Sequence, residues 1–227
     1  SDGVPMWAAL SLLDGMESDL DEVRVKDDGE LLLYCYRAAG TVGAMMCGVL
    51  GVTDPKALAP AIDLGIAMQL SNICRDVQED AERGRTYLPA DRLEQAGTSA
   101  EELLEGTANP EHISRVVLKH LALADHFYEK GRSGLHYIPW RARFPIHVAA
   151  AVYQQIGHRL RRKHKGNALH GRTVVPMSEK IWAIGKHVLG AGILSVRRTF
   201  FNWVTHRSRS RQWAQLIDSS TNCDQPT

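Results

Sequence analysis

Three oxygen-bearing side chains recur at a spacing of four residues near the middle of the chain: Asn72, Asp76 and Asp80. On a helix that turns about 100° per residue they lie within roughly 80° of one another, together with Gln69 three residues earlier, and form one polar stripe. Two carboxylates and an amide one turn apart are hard oxygen ligands for a divalent cation. The spacing therefore predicts a Mg²⁺ site whose remaining ligands are water and phosphate oxygens.

Two arginines, Arg83 and Arg85, follow the stripe directly and are suited to holding phosphates that such a metal would share. The alternative is an ordinary solvated face, because acidic pairs four residues apart are frequent on exposed helices. Against it, Gly65, Ala67 and Met68 suit burial of the same helix, where carboxylates are expensive without compensating cations. The residues alone leave both interpretations open.

Helix start and stop signals divide the rest of the chain into helices. Asp27 or Asp28 caps a helix that runs to about Leu50, Asp54-Pro55 opens the helix that carries the polar stripe, and Gly84 ends it. Further helices are predicted over residues 6–23, from 98–101, from 109 to about 137, over 144–165 and from 176 to about 194. Because no segment alternates as a strand does, we expect an all-α bundle of about six to eight helices. Residues 1–212 would form one domain and 213–227 a polar tail.

Two further helical faces, one on the first helix and one on the second, have residue patterns that allow more than one interpretation. The first helix has an apolar stripe made of Leu10, Leu13, Met16 (or Glu17) and Leu20. Its opposite side carries Asp14, Glu17 and Asp21, which form either a second metal site or, more commonly, a solvated face. On the second helix one face is shared by Tyr34, Ala38, Val42 and Met45, as core packing or as a pocket wall. The small residues from Ala38 to Gly43 indicate close approach of another helix or a ligand.

Composition limits the class of protein. A chain of 227 residues with 44% apolar residues can form one well-cored domain, and a net charge of +1 argues against a dedicated nucleic-acid binder. The four cysteines form no C-x-x-C pair, which predicts buried thiols in a reducing compartment. We find no signal-peptide pattern, and the uncharged run 38–53 is too short and too Gly-rich for a membrane span. These features favour a cytoplasmic protein.

Two segments resemble the signatures of a known family. Residues 64–89 read L-G-x-x-x-Q-x-x-N-I-x-R-D-V-x-x-D followed by R-x-Y-x-P, which is similar to the second aspartate-rich signature of the squalene and phytoene synthase family. Residues 34–43, Y-C-Y-R-A-A-G-T-V-G, resemble the other signature of that family, with Ala38 where Val, Ser or Gly is more usual. In the family a helix precedes this other signature, and residues 13–20 resemble that helix. Because the family does not use it as the first aspartate-rich motif, the resemblance argues against Asp14, Glu17 and Asp21 as a metal site.

The resemblance implies the all-α isoprenoid synthase fold and a head-to-head condensation of two prenyl diphosphates through a cyclopropylcarbinyl diphosphate. It implies Mg²⁺, or Mn²⁺, held by Asp76 and Asp80 with Asn72 nearby, and Tyr34 beside the reacting carbons. The implied diphosphate partners are Arg75, Arg83 and Arg85, although Arg75 projects off the stripe and is open to a structural ion pair. The implied substrate cavity is lined by Ala38, Val42, Met45, Met68, Gln69 and Tyr153.

The sequence departs from the family in one respect. It has no equivalent of the first aspartate-rich motif that should lie upstream of Tyr34, so we expect an N-terminally truncated domain that is inactive alone and exposes apolar surface. Geranylgeranyl diphosphate, giving phytoene, is the first choice of substrate. The alternatives are farnesyl diphosphate, giving squalene, hydroxysqualene or dehydrosqualene, and a non-catalytic helical interaction module. The basic residues after Tyr153 and the arginine tail indicate either a peripheral membrane contact or solvated faces, and a plant or algal source would place the protein in plastids.

Overall fold

The computed structural model describes residues 3–20, 22–171 and 173–178. It has eight α-helices within that part of the chain: α1 Met6–Glu17, α2 Asp28–Cys35, α3 Thr41–Val49, α4 Leu58–Glu82, α5 Ala90–Ala96, α6 Ala100–Leu104, α7 Pro110–Ser133 and α8 Trp140–His164. A π-helical turn, Tyr36–Gly40, joins α2 to α3, and 3₁₀ turns at Pro55–Ala57 and Leu135–Tyr137 precede α4 and α8. No strand is present in these residues beyond one isolated bridge between Arg24 and Thr86. The all-α prediction is therefore confirmed.

Helix α4 is the centre of the bundle and packs against α3, α7, α8 and the π-helical turn. Twelve of its residues are buried, and Ile66, Leu70 and Cys74 have no exposed surface at all. Asp54 caps the entry to it by accepting a hydrogen bond from the Lys56 amide, as predicted from Asp54-Pro55. One window of residues 55–82 is long and apolar enough to cross a membrane, but 56% of it is buried by neighbouring helices, which fits a core helix.

Small residues bring the backbone of α4 against its neighbours. A Cβ on Gly43 of α3 would collide with the carbonyl oxygen of Ala61, and one on Gly65 would collide with the carbonyl oxygen of Ala39. The close helix approach predicted from the small residues of this segment is thus confirmed. A larger side chain at Gly43 would push α3 away from α4, and one at Gly65 would push the π-helical turn away from α4.

The end of the first helix differs from prediction, and its apolar stripe lies on the surface. Helix α1 ends at Glu17 rather than Val23, because residues 22–26 run extended beside the exit of α4: the Thr86 amide donates to the Val23 carbonyl at 3.2 Å and the Ala90 amide to Val25 at 2.9 Å. The face of α1 that meets the bundle is built from Ala8 and Gly15. Its large apolar residues point outward instead, with exposures of 55% for Leu10, 59% for Leu13, 58% for Met16 and 83% for Leu20.

The apolar stripe predicted on this helix therefore lies on the surface rather than in the core. Helical periodicity identifies an apolar face but not what covers it, and here the close contact of Gly15 with Arg37 selects the small-residue face for packing. Asp14 and Glu17 are exposed, in line with a solvated face. The start of α6 also shifts by one residue, because Ser99 rather than Thr98 is the cap and accepts from the Glu102 amide.

The predictions for the C-terminal part fall mostly outside the described residues. These are the helix from 176 to about 194 beyond its first residues, the arginine tail and the boundary between residues 212 and 213. The membrane contact of the basic run in α8 stays a prediction. Within that run Arg161 pairs with Asp125 at 2.6 Å, whereas Arg162 and Lys165 are exposed.

A charged cluster fastens α2 to two other helices. Arg92 of α5 donates to the Asp28 carboxylate from its Nε at 2.9 Å, and Nε2 of His120 in α7 lies 3.1 Å from the other oxygen. His120 is 3% exposed, and its Nδ1 lies 2.9 Å from the Val116 carbonyl. Hydrogen bonding by Arg92 first, and then by His120, lowers the pKa of Asp28 against the opposing effect of burial.

We predict that this cluster makes stability depend on acid pH. A lowered folded-state pKa means that the contribution is fully present above the unfolded value of 3.8 and is lost as the pH falls from there through the lower folded-state value. Asp28→Asn should lower the free energy of unfolding at pH 7 by about 1–3 kcal/mol, with a smaller difference from the parent at pH 3. Urea denaturation at both pH values measures this. Asp14→Asn, on an exposed face of α1, is the control, and an equal effect of both variants at pH 7 would contradict the prediction.

Candidate functional site

The predicted polar stripe exists on α4. Asn72, Asp76 and Asp80 lie on successive turns of one uninterrupted helix, and each side chain is partly buried rather than fully solvated. The Oδ1 of Asn72 is buried and has no hydrogen-bond partner within the described part of the chain. A buried amide oxygen without a partner is unfavourable unless it binds something, so this atom marks a place for a ligand.

Asp76 is held by its chain neighbour. The Nε of Arg75 donates to one oxygen of the Asp76 carboxylate at 2.6 Å, and its Nη2 donates to the other, which makes a two-point ion pair. The pair is largely buried, with the Arg75 side chain 14% and the Asp76 side chain 18% exposed. Arg75 therefore compensates the charge of Asp76 from beside the stripe. This contact corresponds to the ion-pair alternative, and the contact of Arg75 with phosphate stays a prediction.

No two-point ion pair of this kind holds Asp80 within the described residues. Burial, and next the charge of Asp76, raise the pKa of Asp80 to about 6, while Arg83 and Arg85 act in the opposite direction. A carboxylate whose pKa is raised by burial and by a second carboxylate is typical of a functional position, since a bound cation would relieve both effects.

The turn after α4 places the two arginines near Asp80. The amides of Arg83 and Arg85 donate to the Asp80 carbonyl at 3.0 Å and 2.9 Å, and Gly84 between them adopts a φ of +75°. Arg24 fixes this turn from outside by donating to the Gly84 carbonyl at 2.9 Å. The positive φ explains why glycine ends the helix here and why the cations return toward the stripe.

Tyr34 belongs to a group that the sequence did not reveal. Its hydroxyl donates to Asp19 at 3.0 Å, the hydroxyl of Tyr87 donates to the other oxygen of Asp19 at 2.8 Å, and the two rings stack at 4.7 Å. Burial raises the pKa of Tyr34 strongly and that of Tyr87 to about 12, so both phenols are neutral. Asp19 thus positions both rings from the turn after α1.

Nothing in the spacing of residues 13–20 distinguishes Asp19 from the other acidic residues there. Only the folding of that turn against α2 and the exit of α4 brings its carboxylate to the two tyrosines. Asp80 is close enough to Tyr87 to contribute to the raised pKa of its phenol, so the Tyr34, Tyr87 and Asp19 group borders the polar stripe.

An apolar cavity of about 330 Å³ lies beside the stripe, between α3, α4, α7 and α8. Of the predicted cavity residues it is lined by Val42, Met68, Gln69 and Tyr153, and Asn72 also borders it. Ala38 and Met45 do not line it, and Ala39 and Met46 take their places. The π-helical turn explains the correction, because an added residue per turn shifts the helical phase on which the prediction relied.

The donor set fits a Mg²⁺ ion that keeps water and phosphate ligands. Among the described residues no group of three or more His, Cys, Asp or Glu side chains is placed to hold a metal by itself. Two carboxylates and the buried amide oxygen of Asn72 are hard donors, and Mg²⁺ commonly takes only one or two carboxylates from a protein. The geometry thus combines a polar, cation-compatible stripe with an apolar cavity.

The burial of Asp80 predicts that the site weakens the fold. Asp80→Asn should raise the free energy of unfolding by about 1 kcal/mol at pH 7.5 without divalent cations, a value reduced for partial exposure. Because the raised pKa of about 6 penalises the charged form, the gain should shrink below pH 6 and vanish near the ordinary value of 3.8. Urea denaturation checks this, with Glu82→Gln on the exposed end of α4 as the control. A loss of stability in Asp80→Asn would refute it.

The contacts of Asp19 predict an energetic coupling with Tyr34. In a double-mutant cycle of Asp19→Asn and Tyr34→Phe, we expect a coupling of about 1 kcal/mol in the free energy of unfolding, as for hydrogen-bonded partners. Ser18→Ala, whose hydroxyl donates to the Gly15 carbonyl at 2.7 Å, is the control and should not couple to Tyr34→Phe. Additive effects of Asp19→Asn and Tyr34→Phe would show that Asp19 does not act through Tyr34.

Comparison with known proteins agrees with this geometry. A profile of the squalene/phytoene synthase family matches residues 1–179. The chain is 37% identical over 179 residues to a phytoene synthase of Pseudescherichia vulneris, covering 79% of this chain and 57% of the relative. It is 39% identical over 181 residues to a 15-cis-phytoene synthase of Paracoccus, covering 80% and 58%, and 40% identical over 151 residues to a chloroplastic phytoene synthase of Zea mays, covering 64% and 37%. The chain thus spans between about a third and three fifths of the length of these three relatives.

Solved structures show the same fold. A dehydrosqualene synthase solved with a ligand matches with a TM-score of 0.73 at 27% identity, over 83% of this chain and 66% of that one. The squalene synthase HpnC of Alicyclobacillus acidocaldarius matches with a TM-score of 0.66 at 22% identity, over 74% and 62%. On the family profile and the identities to its relatives, the chain belongs to the squalene/phytoene synthase family.

Proposed function

We propose that this chain carries the diphosphate-binding and chain-binding part of a prenyltransferase that condenses two geranylgeranyl diphosphates head to head to phytoene, through a cyclopropylcarbinyl diphosphate. The observation that carries the proposal is the buried Oδ1 of Asn72, which has no hydrogen-bond partner among the described residues and lies where the stripe of Asp76 and Asp80 borders the apolar cavity. A diphosphate bears charge at one end and a long apolar chain at the other. The site offers one environment for each.

The charged end is recognised by the stripe and by its arginines. Asn72, Asp76 and Asp80 would hold Mg²⁺, which supplies the positive charge that stabilises diphosphate as it leaves. Arg83 and Arg85 are close enough to Asp80 to lower its pKa and are placed to donate to phosphate oxygens. Arg75 has two roles open to it, since its fork pairs with Asp76 and can turn to a phosphate of matching geometry.

The organic end is held by the cavity and by Tyr34. The cavity walls are mainly apolar, so they bind the prenyl chain and exclude water that would capture a carbocation. The hydroxyl of Tyr34 donates its proton to Asp19, and Tyr34 is not among the residues that line the apolar cavity. Its neutral, electron-rich ring would stabilise an allylic cation where the Tyr34, Tyr87 and Asp19 group borders the polar stripe. Tyr87 stacks on this ring and fixes its plane.

The three curated relatives are named phytoene synthases, whereas the two solved neighbours are named dehydrosqualene and squalene synthases. The identities of 37–40% to phytoene synthases favour a geranylgeranyl substrate over a farnesyl one. A helical interaction module without chemistry is the other class, and it would have no need of two partly buried carboxylates with compensating arginines.

Calorimetric titration with inorganic pyrophosphate tests the proposal without relying on turnover. We expect binding that requires Mg²⁺ and is at least about tenfold weaker in Asp76→Asn, since each charge-assisted contact is worth about 1.5–3 kcal/mol. Glu82→Gln, an exposed acid on the same helix that accepts from Gln78 at 2.9 Å, should bind like the parent. Mg²⁺-independent binding, or no effect of Asp76→Asn, would favour the interaction module.

A further inference from the structure

A second, larger and more open cavity of about 910 Å³ shares part of its wall with the apolar cavity, and its lining includes Trp7, Ala44 and Leu58. Three residues line both cavities: Cys47 at the end of α3, Val52 in the following loop and Ala57 just before α4. These small or medium-sized residues are shared by the walls of the two cavities. We refer to them as the partition.

The position of the partition corresponds to the length of a prenyl chain. Asn72 stands at the polar end of the first cavity, and Ala57 precedes the first turn of α4, so the two are separated by roughly 20 Å at a rise of 1.5 Å per residue. An extended isoprene unit is about 5 Å long at ordinary C–C bond lengths of about 1.5 Å. Four units therefore reach the partition, whereas three units stop one unit short of it.

The partition is the part of the cavity wall where a change of side-chain size should disturb the helices least. Closer to the polar stripe, Gly43 is in backbone contact with Ala61, so α3 and α4 leave no room for a side chain or a ligand between them. The residues of the partition line both cavities and are small or medium in size, and Ala57 has just one methyl group. Size changes there have space on one side or the other and need not move the helices.

We propose that Cys47, Val52 and Ala57 form the floor that sets prenyl chain length in this protein, admitting four isoprene units, with the second cavity as the space a longer chain enters once the floor is opened. This inference rests on the proposed function, since it assumes a prenyl diphosphate whose charged end lies at the stripe. It adds residues that the sequence signatures do not include and a second cavity that the reaction itself does not require.

Binding of thiodiphosphate analogues with fifteen, twenty and twenty-five carbons, each with a terminal diazirine, tests the floor without turnover. In the parent protein we expect the twenty-carbon analogue to label peptides that contain Cys47, Val52 or Ala57. Ala57→Phe should weaken its binding by about tenfold or more, the loss expected for expelling one isoprene unit, and leave the fifteen-carbon analogue unchanged. Val52→Ala should admit the twenty-five-carbon analogue and direct its label to the peptide of Trp7.

Controls separate the possible failures. Lys56→Phe adds the same ring at an exposed neighbouring position that lines neither cavity, and should bind all three analogues like the parent. Retained fifteen-carbon binding shows that Ala57→Phe is folded, and Cys47→Leu repeats the test from α3. If fifteen- and twenty-carbon analogues bind the parent but Ala57→Phe affects them equally, the floor is refuted and the proposed function stands. If no analogue binds the parent protein, both are refuted.

Discussion

Two carboxylates one turn apart on a central, largely buried helix impose an electrostatic cost that the rest of the site compensates in part. Helix α4 contacts α3, α7 and α8 and buries a dozen residues, and yet it carries Asp76 and Asp80. Taking such charges out of water is costly unless cations and hydrogen-bond donors accompany them. Arg75 compensates Asp76 directly, whereas Asp80 keeps a raised pKa that Arg83 and Arg85 only reduce. A bound cation would remove the remaining cost of burying the charge of Asp80.

Several other segments position the C-terminal end of α4 and the turn that follows it. Residues 22–26 run beside it, Arg24 holds the Gly84 carbonyl, and Gly84 takes a φ of +75° so that the following arginine returns toward the stripe. The same segment carries Tyr87 to Tyr34, and both meet Asp19. A loop between α1 and α2 thus connects the charged part of the site to its aromatic part. Its short extended course also explains why α1 ends early.

Close backbone packing gives the cavity its shape. Gly43 and Gly65 press α3 and the π-helical turn against α4, so the cavity is limited by rigid main chain on that side. The π-helical turn shifts the helical phase, so that Ala39 of the turn and Met46 of α3 line the cavity in place of Ala38 and Met45. Meanwhile the large apolar residues of α1 lie on the surface, because Ala8 and Gly15 form its packing face. Small residues thus determine which helix faces pack together, and the large apolar residues of α1 lie on the face that does not pack.

The all-α class, the caps at Asp54 and Asn109, the end of α4 at Gly84 and the polar stripe could all be predicted from the sequence, because each depends on residues within a few positions of one another. Of the six residues expected to line a substrate cavity, Val42, Met68, Gln69 and Tyr153 line the apolar cavity, whose binding of substrate stays a prediction. The remaining features depend on tertiary structure. The π-helical turn changed the phase of α3, the exposure of the α1 stripe depended on which neighbours cover it, and the carboxylate of Asp19 reached Tyr34 and Tyr87 across long separations in the chain. Such contacts depend on packing between elements distant in sequence, and no local pattern encodes them.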